Sequence, residues 1–152
     1  MPVPIRANCL ASPEPNAGAP PFLWHTRVYY QHTDAGGIVF HGNYLNFMEC
    51  ARTELLQSLG FDLGEMARRD GVLFVVHRAA LTYHRPGLLN DMLSVSALVT
   101  RAGRVRLEFL QQVKRDETLL AEGELTLACV SAGSLKPVGL PAAIRRTFEG
   151  KV

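Results

Sequence analysis

The chain reads as an α+β domain: one strand, one long helix, then four long strands pairing mostly antiparallel into a curved sheet. Three observations predict this. An apolar repeat of helical period runs through residues 43–58. Past Gly71 the period drops to two and holds as far as residue 131. Breaks at Arg85-Pro86-Gly87, Ala102-Gly103 and Arg115-Asp116 cut that stretch into strand lengths.

Residues 24–31 form the first expected strand, with Thr26, Val28 and Tyr30 on one face and Arg27 and Tyr29 on the other. Residues 32–42 make a glycine-bearing loop. The helix then runs from Asn43, an acceptable N-cap, to about Ser58, with Gly60 as its stop. Tyr44, Met48, Ala51, Leu55 and Leu59 give it one apolar stripe to press into the concave face of the sheet. At about 1.5 Å per residue it exceeds roughly 20 Å, enough to cross a sheet. A shorter helix covers residues 62–70.

Strands are expected at 72–84, 91–101, 104–115 and 118–131. In the third of these, Val105, Leu107 and Phe109 oppose Arg104, Arg106 and Glu108. In the fourth, Leu119, Ala121, Gly123, Leu125, Leu127 and Cys129 oppose Glu122, Glu124 and Thr126. Pro141–Phe148 reads as a short terminal helix with proline in its first turn. Long strands with apolar residues left on the outer face favour edge-to-edge pairing of two sheets, hence a homodimer or a larger assembly.

Composition narrows the function. The 152 residues suit a single domain over residues 21–152, preceded by a Pro- and Ala-rich flexible tail over 1–20 that lacks the pattern of a secretory signal. A net charge of +2 without a basic run gives no footprint for nucleic acid or anionic membranes. No segment approaches the roughly 18 uninterrupted apolar residues of a membrane span. Cys9, Cys50 and Cys129 are odd in number and widely spaced, which argues against disulfides and zinc and fits a reducing compartment. Cys50 and Cys129 read as core thiols. His25, His32 and His77 have no metal-ligand spacing, and neither a metal nor a cofactor is expected.

The informative segment is residues 29–44, Tyr-Tyr-Gln-His-Thr-Asp-Ala-Gly-Gly-Ile-Val-Phe-His-Gly-Asn-Tyr. One carboxylate, Asp34, precedes a Gly36-Gly37 pair and a His41-Gly42-Asn43 step into the helix. Helix starts carry unpaired N–H groups. A carboxylate beside them can attack a carbonyl, or direct water at it, while the amides hold the oxygen. The plainer reading of Asp34 is an Asx turn. Tyr30 reads equally as strand core, and the glycines as turn formers. Glu49 is a rival carboxylate, more simply an ion-pair partner of Arg52.

This segment resembles the hot-dog-fold thioesterases. So do Ala51-Arg52-Thr53-Glu54, Phe74-Val75-Val76, Asn90-Asp91-Met92-Leu93 and Leu135-Lys136-Pro137, in matching order. Within that fold the pattern is similar to the 4-hydroxybenzoyl-CoA thioesterase-like enzymes, in the YbgC-type branch of acyl-CoA thioesterases associated with the Tol–Pal system. The resemblance covers about residues 24–149. It implies a long central helix wrapped by a five-stranded sheet and a cytoplasmic homotetramer built as a dimer of dimers. The implied reaction is hydrolysis of an acyl-CoA thioester, with an acyl-carrier protein as a possible alternative thiol carrier.

The resemblance also assigns roles. Asp34 becomes the nucleophile or the general base, the two being left open. The backbone N–H of His41 polarises the thioester carbonyl, and Tyr30 and the His41 side chain assist. Gly42, Asn43 and Tyr44 bind substrate, with Tyr44, Phe47 and Met48 lining the acyl side. Arg101 and Arg104 are candidates for the phosphates of coenzyme A, against the plain reading of a solvated strand face together with Arg106. His84 and Arg85 are weaker candidates of the same kind. Two departures stand out: Gln31-His32 replaces a common Glu-Asp, and Phe40 replaces a common tyrosine. The alternatives are a hot-dog dehydratase or hydratase, for which His41 and Glu49 are the only acid–base pair, and a non-catalytic acyl-carrier or envelope-complex partner.

Overall fold

A computed structural model describes residues 20–149. The expected tail lies outside them except for Pro20, and so does Cys9. The elements are β1 (Phe22–Arg27), a single 3-10 turn (Tyr30–His32), α1 (Asn43–Ser58), α2 (Leu63–Arg69), β2 (Val72–Tyr83), β3 (Met92–Ala102), β4 (Arg106–Arg115), β5 (Thr118–Ser131) and α3 (Ala142–Phe148). The five strands form one sheet in the order β1-β3-β4-β5-β2, and every pairing is antiparallel. Successive hairpins join β3, β4 and β5, while β1 and β2 occupy the two edges.

The period-two pattern sets the two faces. Leu93, Val95, Ala97 and Val99 of β3 and Leu107, Phe109 and Val113 of β4 are buried on the helix side. α1 lies across β1, β3 and β4 and closes the core with Tyr44, Phe47, Met48, Ala51 and Leu56. α2 begins at an Asp62 cap, whose Oδ1 accepts the Glu65 N–H at 2.9 Å. Pro141 caps α3, which buries Ile144 and Phe148.

Four expectations are corrected. The first strand stops at Arg27 instead of reaching 31. Nδ1 of His32 accepts the Tyr29 N–H at 2.9 Å, and the Thr33 hydroxyl donates to the Tyr30 carbonyl at 2.8 Å. These local bonds turn the chain out of the sheet and leave Tyr30 81% exposed, not on a core face. The N-cap of α1 is Gly42, and Asn43 is the first helical residue. The buried stripe includes Leu56, whereas Leu59, at the C-cap, is partly exposed. Cys50 is exposed, and only Cys129 is the buried thiol expected.

Candidate active site

The Asp34 loop is a small hairpin held at several points. Thr33 bridges Val39 and Ile38 bridges Leu88. The Asp34 N–H donates to the Ile38 carbonyl at 2.9 Å, and the Gly37 N–H donates to the Asp34 carbonyl at 3.0 Å. Gly37 turns the tip at φ 80, a left-handed conformation that glycine adopts without strain. At the base, the His32 carbonyl accepts both the Phe40 N–H at 2.9 Å and the Asn43 side-chain amide at 2.8 Å. The Val39 N–H donates to Gly87 at 2.9 Å. The hairpin is thus riveted to the start of α1 and to the β2–β3 connection.

Asp34 makes the Asx-type contact of its plainer reading, but with one oxygen only: Oδ1 accepts the Gly36 N–H at 2.8 Å. Among the described residues Oδ2 has no hydrogen-bond partner and no cation pairs with the carboxylate. The group is exposed in the single chain. Its neighbour across the hairpin, Ile38, precedes His41 by three residues, no more than about 10 Å of extended chain.

At the start of α1 the peptide groups are fixed on their carbonyl sides. The Phe40 carbonyl accepts the Asn43 N–H at 2.9 Å, and the His41 carbonyl accepts the Tyr83 hydroxyl at 3.1 Å. The partnering N–H groups of those two peptides belong to His41 and Gly42, and among the described residues neither has an acceptor. Gly42 is needed for closeness rather than for an unusual φ, since a Cβ there would lie 2.9 Å from the Phe40 ring. The helix dipole adds positive potential at this point. Sequence reasoning missed Tyr83; its one signal is an aromatic residue at the end of a strand, just before the His84-Arg85-Pro86-Gly87 break.

The remaining candidates are scattered. Tyr44 is buried in the single chain: it is 3% exposed, and its hydroxyl accepts the Gly87 N–H at 3.0 Å. Burial raises its pKa, outweighing the opposing Gly87 bond. Phe47 and Met48 are likewise core residues. His32 is edge-on to Phe47 with centroids 4.9 Å apart. Burial lowers its pKa, and because Nδ1 accepts a backbone N–H, its proton sits on Nε2. Trp24, His32, Asn43, Asn46, Phe47 and Cys50 line a cavity of about 340 Å3 between β1 and α1.

Arg101 and Arg104 stand by the β3–β4 turn, whereas the Asp34 loop adjoins the other end of β3, where Arg27 pairs with Met92. Arg101 reaches Glu108 at 3.5 Å. The basic side chains at the Asp34 end are different: His84, Arg85 and Arg115 border an open cavity of about 660 Å3. There Arg115 pairs with Asp91 at 2.6 Å and His84 meets Glu122 at 3.2 Å. Glu49 is exposed, and Arg52 bonds Gln111 rather than the expected Glu49. Among the described residues no cluster of His, Cys, Asp and Glu could hold a metal ion.

Comparison with known proteins identifies the family and the fold. The model of the thioesterase superfamily matches residues 36–122, beginning just past Asp34. An acyl-CoA thioester hydrolase YbgC of Escherichia coli is 41% identical over 129 residues, covering 84% of this chain and 96% of the relative. An acyl-CoA thioesterase YbgC of Haemophilus influenzae is 36% identical over 128 residues, covering 84% and 94%. The crystal structure of a probable thioesterase from Bartonella henselae superposes with a TM-score of 0.75 at 29% identity, covering 78% of this chain and 98% of that one. The five-stranded antiparallel sheet with its packed helix is the hot-dog fold of such neighbours, and the chain belongs to the thioesterase superfamily.

Proposed function

We propose that this chain hydrolyses acyl-CoA thioesters to a carboxylic acid and coenzyme A, with Asp34 as the reacting carboxylate. The observation that carries this is the half-free carboxylate of Asp34, on a hairpin riveted to a helix start with two open N–H groups. A thioester carbonyl lying between them meets an anionic oxygen on one side and the His41 and Gly42 amides on the other. The amides and the helix dipole stabilise the charge that develops on the carbonyl oxygen. Asp34 either attacks the carbonyl carbon, expelling the thiolate and leaving a mixed anhydride for water to open, or takes a proton from the water that attacks. The exposed Tyr30 and the His41 side chain assist as flanking groups.

A second copy completes this reading. β2 is twelve residues long, pairs among the described residues with β5 alone, and exposes Val75 and Val76 by 40% and 53%. A long edge of this kind is a template for pairing. Antiparallel pairing of β2 with itself sets the β3–β4 hairpin of one copy at the same end as the Asp34 loop of the other. Arg101 and Arg104 then serve the coenzyme phosphates across the interface, and a dimer of dimers buries what remains. The cytoplasmic setting, the Tol–Pal association and an acyl-carrier protein as alternative carrier belong to the same proposal.

Asp34→Asn tests the chemistry. Turnover of short, long and aromatic acyl-CoAs, followed by free thiol, falls by about three orders of magnitude or more, while the unfolding temperature stays within a few degrees. Near-normal hydrolysis by this variant overturns the assignment. Single turnover in H218O separates the two routes, because only the anhydride route can leave label on the Asp34 peptide. Arg101→Ala with Arg104→Ala raises KM for acyl-CoA but not for the matching N-acetylcysteamine thioester if the phosphates are their ligand.

A further inference from the structure

We propose that Tyr83 is a positioning residue for the reaction: its hydroxyl fixes and polarises the His41–Gly42 peptide so that the Gly42 N–H joins the His41 N–H in holding the thioester oxygen. This rests on the reading of Asp34 and the helix start given above.

The N-cap carbonyl, here that of Gly42, accepts the first helical bond, so the His41 carbonyl stands outside the ladder of α1. It would be free to rotate with its peptide. The Tyr83 hydroxyl, donating at 3.1 Å, holds it. The preceding peptide is held in the same way by the Asn43 N–H on the Phe40 carbonyl at 2.9 Å. Both peptides are therefore anchored through oxygen and open through nitrogen. A peptide whose oxygen accepts a hydrogen bond becomes a better donor through its N–H. A donor oriented beforehand also costs no reorganisation when charge appears.

Tyr83 is itself well anchored. It ends β2 in register with Ala121 of β5, and the next two amides, of His84 and Arg85, both donate to the Leu120 carbonyl at 2.8 and 3.1 Å. Its ring meets the buried Tyr44 with centroids 5.6 Å apart and stands perpendicular to the His41 ring at 6.5 Å. A strand from the far edge of the sheet thus governs a helix start forty-two residues earlier in sequence. Among the described residues, no other side chain donates to this carbonyl.

Tyr83→Phe keeps the ring and deletes the donor. It is expected to lower kcat about tenfold, less than the loss of an oxyanion donor itself, with KM within about twofold and the unfolding temperature nearly unchanged. In an Asp34→Asn background, the carbonyl band of a bound acyl-CoA, read by Raman difference, is expected at higher frequency when Tyr83→Phe is added, because the carbonyl is less polarised. Wild-type kcat, an effect confined to KM, or a kcat loss with an unmoved carbonyl band each overturns the proposal. If Asp34→Asn remains active, the reading of the carboxylate fails whatever Tyr83 does. If Asp34→Asn is inactive and Tyr83→Phe is neutral, only the role of Tyr83 fails.

Discussion

Helix α1 makes polar contact with the sheet at two places, and they differ in what they leave unpaired. At its middle, Arg52 is 5% exposed and donates to Gln111 Oε1 at 2.8 Å. Gln111, fully buried, donates in turn to the carbonyls of Met48 and Ser96 at 3.0 Å each. The guanidinium carbon also sits 6.0 Å above the Phe109 ring. Burial lowers the pKa of Arg52, partly offset by the nearby Glu49 charge. Among the described residues no buried side-chain nitrogen or oxygen lacks a partner. At the start of α1, by contrast, two amides are left open, and on the hairpin leading into it Asp34 keeps one carboxylate oxygen free of hydrogen bonds among the described residues. The interior is closed because an unpaired polar group there costs stability. The helix start tolerates unpaired amides because it lies at the surface, where His41 is exposed and Gly42 half-buried.

The sharpest way to break this contrast is Gln111→Leu. It strips Arg52 of its hydrogen-bonded partner and two carbonyls of their donor, in a site with little water. The expected loss is about 3–5 kcal/mol, the range for a buried charge left uncompensated. In a chain of this size that lowers the unfolding temperature by on the order of 10 °C, while kcat of the remaining folded enzyme at 25 °C is preserved. A loss under about 1 kcal/mol would mean the middle of the helix is no more demanding than its start. Tyr44→Phe comes next. It leaves the buried Gly87 N–H unpaired, for about 1–3 kcal/mol in urea unfolding. Tyr44→Phe should act on stability, whereas Tyr83→Phe should act on turnover, although the two rings touch.

Much of this architecture was legible in the residues. The switch from helical to alternating period bounds α1 and the four later strands to within about two residues, because each element's buried face is written in its own segment. Asp34 beside two glycines and ahead of a helix start was legible for the same reason. Contacts that depend on long-range register were not. Nothing near Arg52 announces Gln111, fifty-nine residues away, and nothing near His41 announces Tyr83. Both pairs exist only once β2 and β4 have taken their places beside β5. Tyr30 misled for a local reason, because alternation continues through residue 30 while side-chain bonds from His32 and Thr33 turn the backbone.

His32 offers the smallest effect and the finest distinction between the two regions. It stands at the border between the open helix start and the closed core, edge-on to the buried Phe47. Its Nδ1 must stay unprotonated to accept the Tyr29 N–H, and burial lowers its pKa below the ordinary 6.5. The folded state thus prefers the neutral ring. In the window between the lowered value and 6.5 the unfolded chain binds more protons than the folded one, so stability is fully present above about pH 6.5 and declines as pH falls through the folded value. His32→Asn can still accept the Tyr29 N–H but cannot titrate there. Urea unfolding measured from pH 7.5 to 5 is expected to show a shallower acid loss in His32→Asn than in the wild type. Parallel curves would mean that the proton sensitivity lies elsewhere and that this corner of the hairpin behaves like the exposed helix start, not like the core it abuts.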